Sequence, residues 1–359
     1  MTIVHASRGF EKTSGISLFV SKIISNQIDA GHQCVLFYQL RLEHDVDSRA
    51  KLVQGSGDLD AIGELPDVVH VHAVWTMFSV RVMRWCRRHK IPYVVSPHGC
   101  LMPWVLRNGW LKKHLFYEFL LKRSLLKAGA VHVTSMVERE AIERLHIDRR
   151  AVILPLGVDF PDSIHRRTGN DVGHSFLFMS RLSPEKGLEN LLEAWSVMEH
   201  KDWKLILAGP DWMGYGERLK NFVGERNIAD VVFTGAVYGE AKDSLYQLAD
   251  CFVLPSFTEN FSAVVADALA YGIPVITTTG TPWKVLEDIG CGCWIDIGID
   301  PLAKAMSDIM AMPDEERGAM GMRGRVYAKD AFNWKNIATA LIGEYLNVIS
   351  SEERSDEER

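Results

Sequence analysis

The segment CFVLPSFTENFSAVVADALAYGIPVITT, residues 251–278, reads as a strand, a helix and a second strand. CFVLPS (251–256) and IPVITT (273–278) are short apolar runs, and between them Val264, Val265, Ala268 and Leu269 recur at helical spacing. Ser262 stands where a cap belongs, and Gly272 with Pro274 stops the helix. A helical crossover joins parallel strands, and a parallel sheet needs helices over its faces. The same rhythm extends outward. SFLFMS (175–180), WKLILAG (203–209) and DVVFTG (230–235) precede this segment. In the N-terminal half it recurs as TIVHA (2–6), CVLFY (34–38), VVHVH (68–72), PYVVS (92–96) and AVHVT (130–134). Between the first two runs, Ile16, Phe19, Val20, Ile23, Ile24 and Ile28 line one face of a helix that ends at Gly31.

Two such domains suit the length, since 359 residues at about 150 per domain give two hydrophobic cores. The polar, aperiodic stretch PDSIHRRTGNDVGH (161–174) reads as their connection. Domains of 1–164 and 165–333 are expected, then a helix over 334–349 and a solvated, disordered tail, SSEERSDEER, over 350–359. A hydrophobic fraction of 47% excludes wholesale disorder. Charge-free stretches such as Val68 to Val80 and Ala268 to Trp283 are too short to span a bilayer. Arg8, Glu11 and Lys12 stand where a signal peptide needs an apolar run, so a cytoplasmic location is expected. Of the six cysteines only Cys291 and Cys293 lie close together, without a second ligand pair, so neither a metal site nor a disulfide framework is expected. Residues 1–170 carry 23 Lys and Arg against 16 Asp and Glu, whereas the remainder carries 17 against 30. That asymmetry points to halves with different partners.

In open parallel sheets ligands bind beyond the carboxyl ends of the strands, so the loops there deserve the closest reading. After SFLFMS come Arg181 and Lys186, two cations just before the helix Leu188, Leu191, Leu192, Trp195, a placement that suits a phosphate. Surface pairing with Glu185 or Glu189 is the competing reading of the same cations. After CFVLPS, Glu259 precedes the helix start, where the amides of Asn260, Phe261 and Ser262 offer an anion site and Asp267 follows at most roughly 12 Å along the axis. Such a span fits a long hydroxylated ligand, although Glu259 as a plain loop residue and Asp267 as partner of a buried donor remain open. His98 in SPHG ends the strand PYVVS, where it can bind a hydroxyl or move a proton. His70 and His72, on VVHVH, read as core histidines. The loop SRGFEKTSG (7–15) lacks the G-x-G-x-x-G fingerprint, which disfavours NAD, while Gly15 still allows a phosphate near the backbone.

Taken together these residues resemble the retaining glycosyltransferases of the large bacterial family four, which have the two-domain GT-B fold. The resemblance rests on Arg181-LSPE-Lys186-Gly187, LAGP (207–210), FTGAV (233–237), PSFTENFSAVVADALAYGIPVITT and Gly280-Thr-Pro-Trp283. In the other half it rests on SPHGCLMPW, LKKHLF, AGAVHVTSMVERE and LPLGVD. It implies an α/β architecture of two doubly wound Rossmann-like domains facing across a cleft, the first binding the acceptor and the second the nucleotide sugar. By the same resemblance Arg181 and Lys186 hold the donor diphosphate and Glu259 grips donor-sugar hydroxyls. Phe261 and Ser262 contact phosphate and sugar through their amides, and Asp267 binds the ribose. Gly209 closes the LAGP strand end at the donor site, the loop Gly235 to Val237 meets the base, and His98 faces the donor sugar. The chain departs from the family in carrying Asp267 where glutamate is usual, and Ser14-Gly15 where a glycine pair is frequent.

The reaction so implied is metal-independent transfer from a UDP- or GDP-sugar to a glycan acceptor, lipid-linked in lipopolysaccharide, capsule or exopolysaccharide synthesis, with no further cofactor. Trp104 to Lys127 interleaves Arg107, Lys112, Lys113, Lys122, Arg123 and Lys127 with Trp104, Trp110, Phe116, Tyr117 and Phe119. Read as one helix, it suits an anionic surface at the inner membrane. A solvated helix face is the competing reading. Overall acidity and the lack of nucleic-acid motifs argue against nucleic acid. Two other functions fit the same residues: another GT-B activity such as a nucleotide-sugar epimerase, or a non-catalytic donor-binding subunit.

Overall fold

A computed structural model describes the chain except for residues 12–13, 108, 148–149, 165–172 and 358–359. It divides into two compact units, Met1–Gly157 with Trp334–Arg359, and Val158–Asn333. The expected boundary at residue 165 lies outside the described residues. The division falls earlier because the Val158 amide donates to the Phe332 carbonyl at 3.0 Å inside the second unit. Gly157, by contrast, packs against Trp334 of the first, where a Cβ would come within 2.3 Å of the indole.

In the first unit seven parallel strands form one sheet: β1 Thr2–Ser7, β2 Gln33–Tyr38, β3 Lys51–Gln54, β4 Val68–His72, β5 Tyr93–Ser96, β6 Ala130–Val133 and β7 Ala151–Ile153. Their order is β3-β2-β1-β4-β5-β6-β7. β-branched runs favour these strands, and alternation splits each one between the two faces of the sheet. Val4, Ala6, Val69, Val71 and Val95 build one core, with Phe78, Val82 and Met83 of the helix Met77–His89. On the opposite face Ile3, Leu36, Val68 and Val94 pack with Phe19, Val20, Ile23 and Ile24 of the helix Gly15–Asp29 and with Ile337, Leu341 and Tyr345 of the helix Trp334–Glu357. Each such fully buried side chain contributes about 1.5–3 kcal/mol.

That last helix runs to Glu357 rather than ending at Ile349, which corrects the expected tail. Glutamate and arginine are good helix formers, so the acidic stretch prolongs an established helix. The Arg354 Nε donates back to the Ser350 carbonyl at 3.2 Å. Trp104 to Lys127 is likewise corrected from a single helix to two helical runs, Pro103–Arg107 and then Trp110–Phe116 continued through a π turn at Tyr117–Leu121 into Lys122–Leu125. Gly109, at φ +70°, separates the two.

The second unit holds six parallel strands, β8 His174–Met179, β9 Trp203–Ala208, β10 Val231–Gly235, β11 Cys251–Leu254, β12 Val275–Thr278 and β13 Gly292–Ile295, in the order β10-β9-β8-β11-β12-β13. Both sheets are doubly wound, with the strand order reversing between β1 and β4 in one and between β8 and β11 in the other. The loops that follow β8 and β11 carry Arg181, Lys186 and Glu259. Adjacent strands therefore place at one switch point residues that are 73 positions apart in sequence.

Candidate functional site

Helix Leu188–Ser196 is anchored by Leu188, Leu191, Leu192, Ala194 and Trp195, all fully buried. The turn before it is pressed onto the loop after β11. Gly187 takes φ +68°, and a Cβ there would lie 2.1 Å from the Pro255 carbonyl oxygen. Only glycine permits that approach, and it delivers Lys186 to Glu259: Nζ donates to Oε1 at 2.5 Å. Ser256 Oγ donates to the same oxygen at 2.6 Å, and the Glu259 amide is held by the Gly280 carbonyl at 2.9 Å. With side chains only 13% and 11% exposed, the Lys186–Glu259 pair is partly desolvated. Its geometry leaves Glu259 Oε2 and the remaining lysine protons for a ligand.

Arg181 does pair with a neighbouring acid, donating from Nη2 to Glu185 Oε1 at 2.8 Å. Its guanidinium also stacks 4.5 Å from the half-exposed Trp212 ring. Burial alone would raise the Glu185 carboxyl, but hydrogen bonds from Ser183 and Arg181 outweigh it and hold the group below its usual range. Lys186 chooses the more distant Glu259, and Glu189 pairs instead with Arg218.

Ser262 occupies the cap position of helix Ala263–Ala270 but does not cap it. Its backbone is left-handed, at φ 66° and ψ 70°, and its hydroxyl has no hydrogen-bond partner. The first amides of this helix therefore lack a side-chain acceptor, which suits an anionic ligand. Phe261 is buried against Trp283, whose Nε1 donates to the Phe261 carbonyl at 2.6 Å. Its side chain is a fixture of the core, while Asn260 beside it is half-buried. Asp267 meets Lys242 at 2.7 Å, a half-buried donor rather than the buried one left open by the sequence. Burial pushes its carboxyl up, Lys242 opposes this, and Asp159 and Asp243 add to the rise.

Gly235 ends β10 and is exposed, and Val237 follows it and is half-buried. Gly209 is different: it is buried, and a Cβ there would fall 1.8 Å from the Ser180 carbonyl oxygen. The missing side chain lets the end of β9 lie against the loop after β8. Gly15 belongs to the other unit, where it opens the helix Gly15–Asp29 behind the capping Ser14.

In that first unit His98 has φ +52° in the turn after β5. Glu138, fully buried at the start of helix Met136–Arg144, accepts from the Gly99 amide at 2.5 Å and from the Thr134 amide at 2.9 Å, and so pins the turn. Four more histidines lie on the strands beneath, at positions 5, 70, 72 and 132, all buried. Burial lowers His5 to about 4 and His98 to about 3. His70, His72 and His132 are lowered for the same reason, so all five are neutral near pH 7. One ring nitrogen from each of His5, His70 and His72 lies within 4.8 Å of the others, close enough for a shared ion. Every ring nitrogen of the three already has a hydrogen-bond partner, however, so the cluster is a hydrogen-bond network.

Sequence reasoning missed Ser256, Trp212, Lys242, Glu138 and Gln27. Only Glu138 carried a readable signal, the capping box Ser135-x-x-Glu138. The other four act across the fold rather than along the chain.

The family profile described as "Glycosyl transferases group 1" matches residues 163–326, and that described as "Glycosyl transferase 4-like domain" matches residues 35–157. An uncharacterized glycosyltransferase of Methanocaldococcus jannaschii is 32% identical over 47% of this chain and 44% of its own length. A GDP-mannose:cellobiosyl-diphosphopolyprenol alpha-mannosyltransferase of Xanthomonas oryzae is 25% identical over 80% of this chain and 75% of its own. The chain thus spans less than half of the first relative and three quarters of the second. Among solved structures, sucrose-phosphate synthase from Thermosynechococcus elongatus superposes with a TM-score of 0.78 at 20% identity, covering 98% of this chain and 99% of that one. An Anabaena HepE complex with UDP and glucose gives 0.72 at 16% identity, covering 97% and 99%. No helix among the described residues is long and apolar enough to cross a membrane.

Proposed function

The chain belongs to the GT-B glycosyltransferases of the family-four type, and from that premise we propose that it moves mannose, with retention of configuration, from GDP-mannose to a lipid-linked glycan in surface-polysaccharide synthesis. The observation that carries this reading is the Lys186–Glu259–Ser256 cluster at the switch point of the second sheet, flanked by Arg181 and by an uncapped helix start. Arg181, Lys186 and the amides of Asn260 to Ser262 take the diphosphate, and Glu259 Oε2 takes sugar hydroxyls. Asp267, steadied by Lys242, takes the ribose. Gly235 and Val237 lie by the base, while His98 accepts from a donor-sugar hydroxyl.

In the transfer step the bond from the anomeric carbon to the phosphate oxygen breaks, and a bond to the acceptor hydroxyl oxygen forms on the same face. The acceptor proton passes to the leaving phosphate. Both cations stabilise the charge that grows there, an electrostatic contribution that needs no metal. Glu259, already accepting from Lys186 and Ser256, acts as a fixed acceptor rather than a nucleophile.

GDP-mannose is favoured because it names the donor of several relatives, including the phosphatidylinositol monomannoside mannosyltransferase of Mycolicibacterium smegmatis, 30% identical over 45% of this chain. A diphosphopolyprenol acceptor is favoured by the name of the Xanthomonas relative. The exposed side chains Trp110, Leu111, Leu115 and Phe119 beside Lys112 and Arg123 support docking at the anionic inner membrane surface, where such an acceptor resides.

The test is transfer of labelled mannose from GDP-mannose to polyprenyl-diphosphate glycans, with the anomeric configuration of the product read by NMR. Wild-type protein should give an α-linked product and Glu259→Ala none. A released sugar or epimer without glycan product, or undiminished transfer by Glu259→Ala, would refute the reading.

A further inference from the structure

The buried histidines form two hydrogen-bonded chains whose polarity can be read from a fixed end. His132 Nε2 lies 2.9 Å from the Leu154 carbonyl oxygen, which can only accept, so that nitrogen carries the proton. A neutral imidazole has one donor and one acceptor, so His132 Nδ1 accepts from the Ser96 hydroxyl at 2.7 Å. Ser96, its proton spent, accepts from His70 Nε2 at 2.6 Å. His70 Nδ1 in turn accepts from the Tyr345 hydroxyl at 2.6 Å.

The second chain runs from Gln27 through His5 and His72 to His98, with spacings of 2.8, 3.0 and 3.0 Å. Its direction depends on which way the Gln27 amide points. The Gln27 oxygen lies 3.6 Å from the Cys34 thiol, a donor, and bonds to His5 Nε2. Its NH2 group has no partner in bonding geometry, yet the Gln27 side chain favours the ionised form of the Tyr345 hydroxyl against burial, as a donor does. Tyr345 has given its own proton to His70, so only its lone pairs face Gln27. Both neighbours thus select the same amide orientation, with the oxygen on His5.

We propose that Gln27, His5 and His72 are positioning residues that hold His98 in its Nε2-protonated form, so that Nδ1, which has no partner among the described residues, presents only a lone pair. A lone pair accepts from a hydroxyl and repels the oxygens of a phosphate dianion. His98 is therefore set to accept from a ligand hydroxyl and not to grip a phosphate. This deepens the donor-site reading and rests on it.

The experiment is long-range 15N–1H NMR of the histidine rings in the ligand-free full chain at pH 7, which reports the tautomer of each ring. His98 and the four buried histidines should all be protonated at Nε2 alone. A His98 ring protonated at Nδ1, or at both nitrogens, overturns the proposal. Gln27→Met should release the chain, give His98 mixed tautomers, and raise KM for the nucleotide sugar by the inverse of the fraction left protonated at Nε2, roughly twofold for an even mixture. Kd for the bare nucleotide should stay unchanged. If the tautomers are as stated but His98→Ala leaves KM and kcat unaltered, the relay stands and the assignment of His98 to the donor sugar fails.

Discussion

At the scale of single residues, the Lys186–Glu259 contact joins stability to function. Each side chain is mostly withdrawn from water, so removing one strands the other. Lys186→Ala should cost roughly 1–3 kcal/mol of stability and reduce nucleotide affinity, whereas the double variant Lys186→Ala with Glu259→Ala should be less destabilised than the two single losses combined. Urea titration of the four proteins measures the coupling. Additive losses would show that the pair is solvated and contributes little. Arg181, stacked on Trp212, is a second case. Trp212→Ala should leave the fold intact and weaken diphosphate binding several-fold, because the stacking that orients the guanidinium is gone. Neither Trp212 nor Ser256 was readable beforehand, since each reaches its partner across loops that adjoin only in the folded sheet.

Among the secondary elements, the histidines of the first sheet govern acid stability. Their folded pKa values lie below the ordinary 6.5, with His5 at about 4 and His98 at about 3. Above pH 6.5 both folded and unfolded chains hold them neutral, and pH has no effect through them. As pH falls below 6.5 the unfolded chain takes up protons that the folded one refuses, so stability drops, by about 1.4 kcal/mol per pH unit for each histidine, until pH approaches 4. Denaturant midpoints of the first unit should therefore decline steeply from pH 6.5 to 4.5, and His132→Gln should flatten the slope. A flat wild-type profile would mean the rings are charged or solvated.

Backbone packing supplies another element-scale prediction. Gly187→Ala drives a methyl group into the Pro255 carbonyl at a left-handed position, and it should cost at least about 2 kcal/mol and pull Lys186 from Glu259. Thermal melting and nucleotide titration of that variant check both effects. In the Trp104 to Lys127 region, the exposed Trp110, Leu111, Leu115 and Phe119 should bring the protein down with anionic vesicles. Trp110→Ser with Phe119→Ser should release it without loss of fold.

The central strands were legible because a strand buried on both faces is a continuous β-branched run. β3, with three of its four residues exposed, and β13, with glycine at its start, carried no such run. The break at Gly109 was hidden because cations and leucines are equally at home in one helix or in several.

For the molecule as a whole, two doubly wound sheets were readable from periodicity, and a parallel sheet directs the search for functional residues to the loops at its strand ends. The passage of the chain between units was less readable. It depends on the Val158 amide and the Gly157–Trp334 contact, neither of which leaves a compositional trace. Arg181, Lys186 and Glu259 stood out because their motifs are local, and the structure brings Lys186 and Glu259 together. The reading of Ser262 as a cap failed because its left-handed conformation decides it, and the burial of Gly209 left no local trace. The basic first half and acidic second half mean that any anion held by the second unit meets an unfavourable net charge, against which its local cations act. The most direct measurement is thermal melting of the purified protein with GDP and with UDP, in wild-type and Arg181→Ala forms. A ligand held by the folded state at about 100 times its Kd adds roughly 2.7 kcal/mol. The account predicts an upward shift with GDP that Arg181→Ala abolishes, whereas no shift with either nucleotide, or a shift that survives Arg181→Ala unchanged, would contradict it.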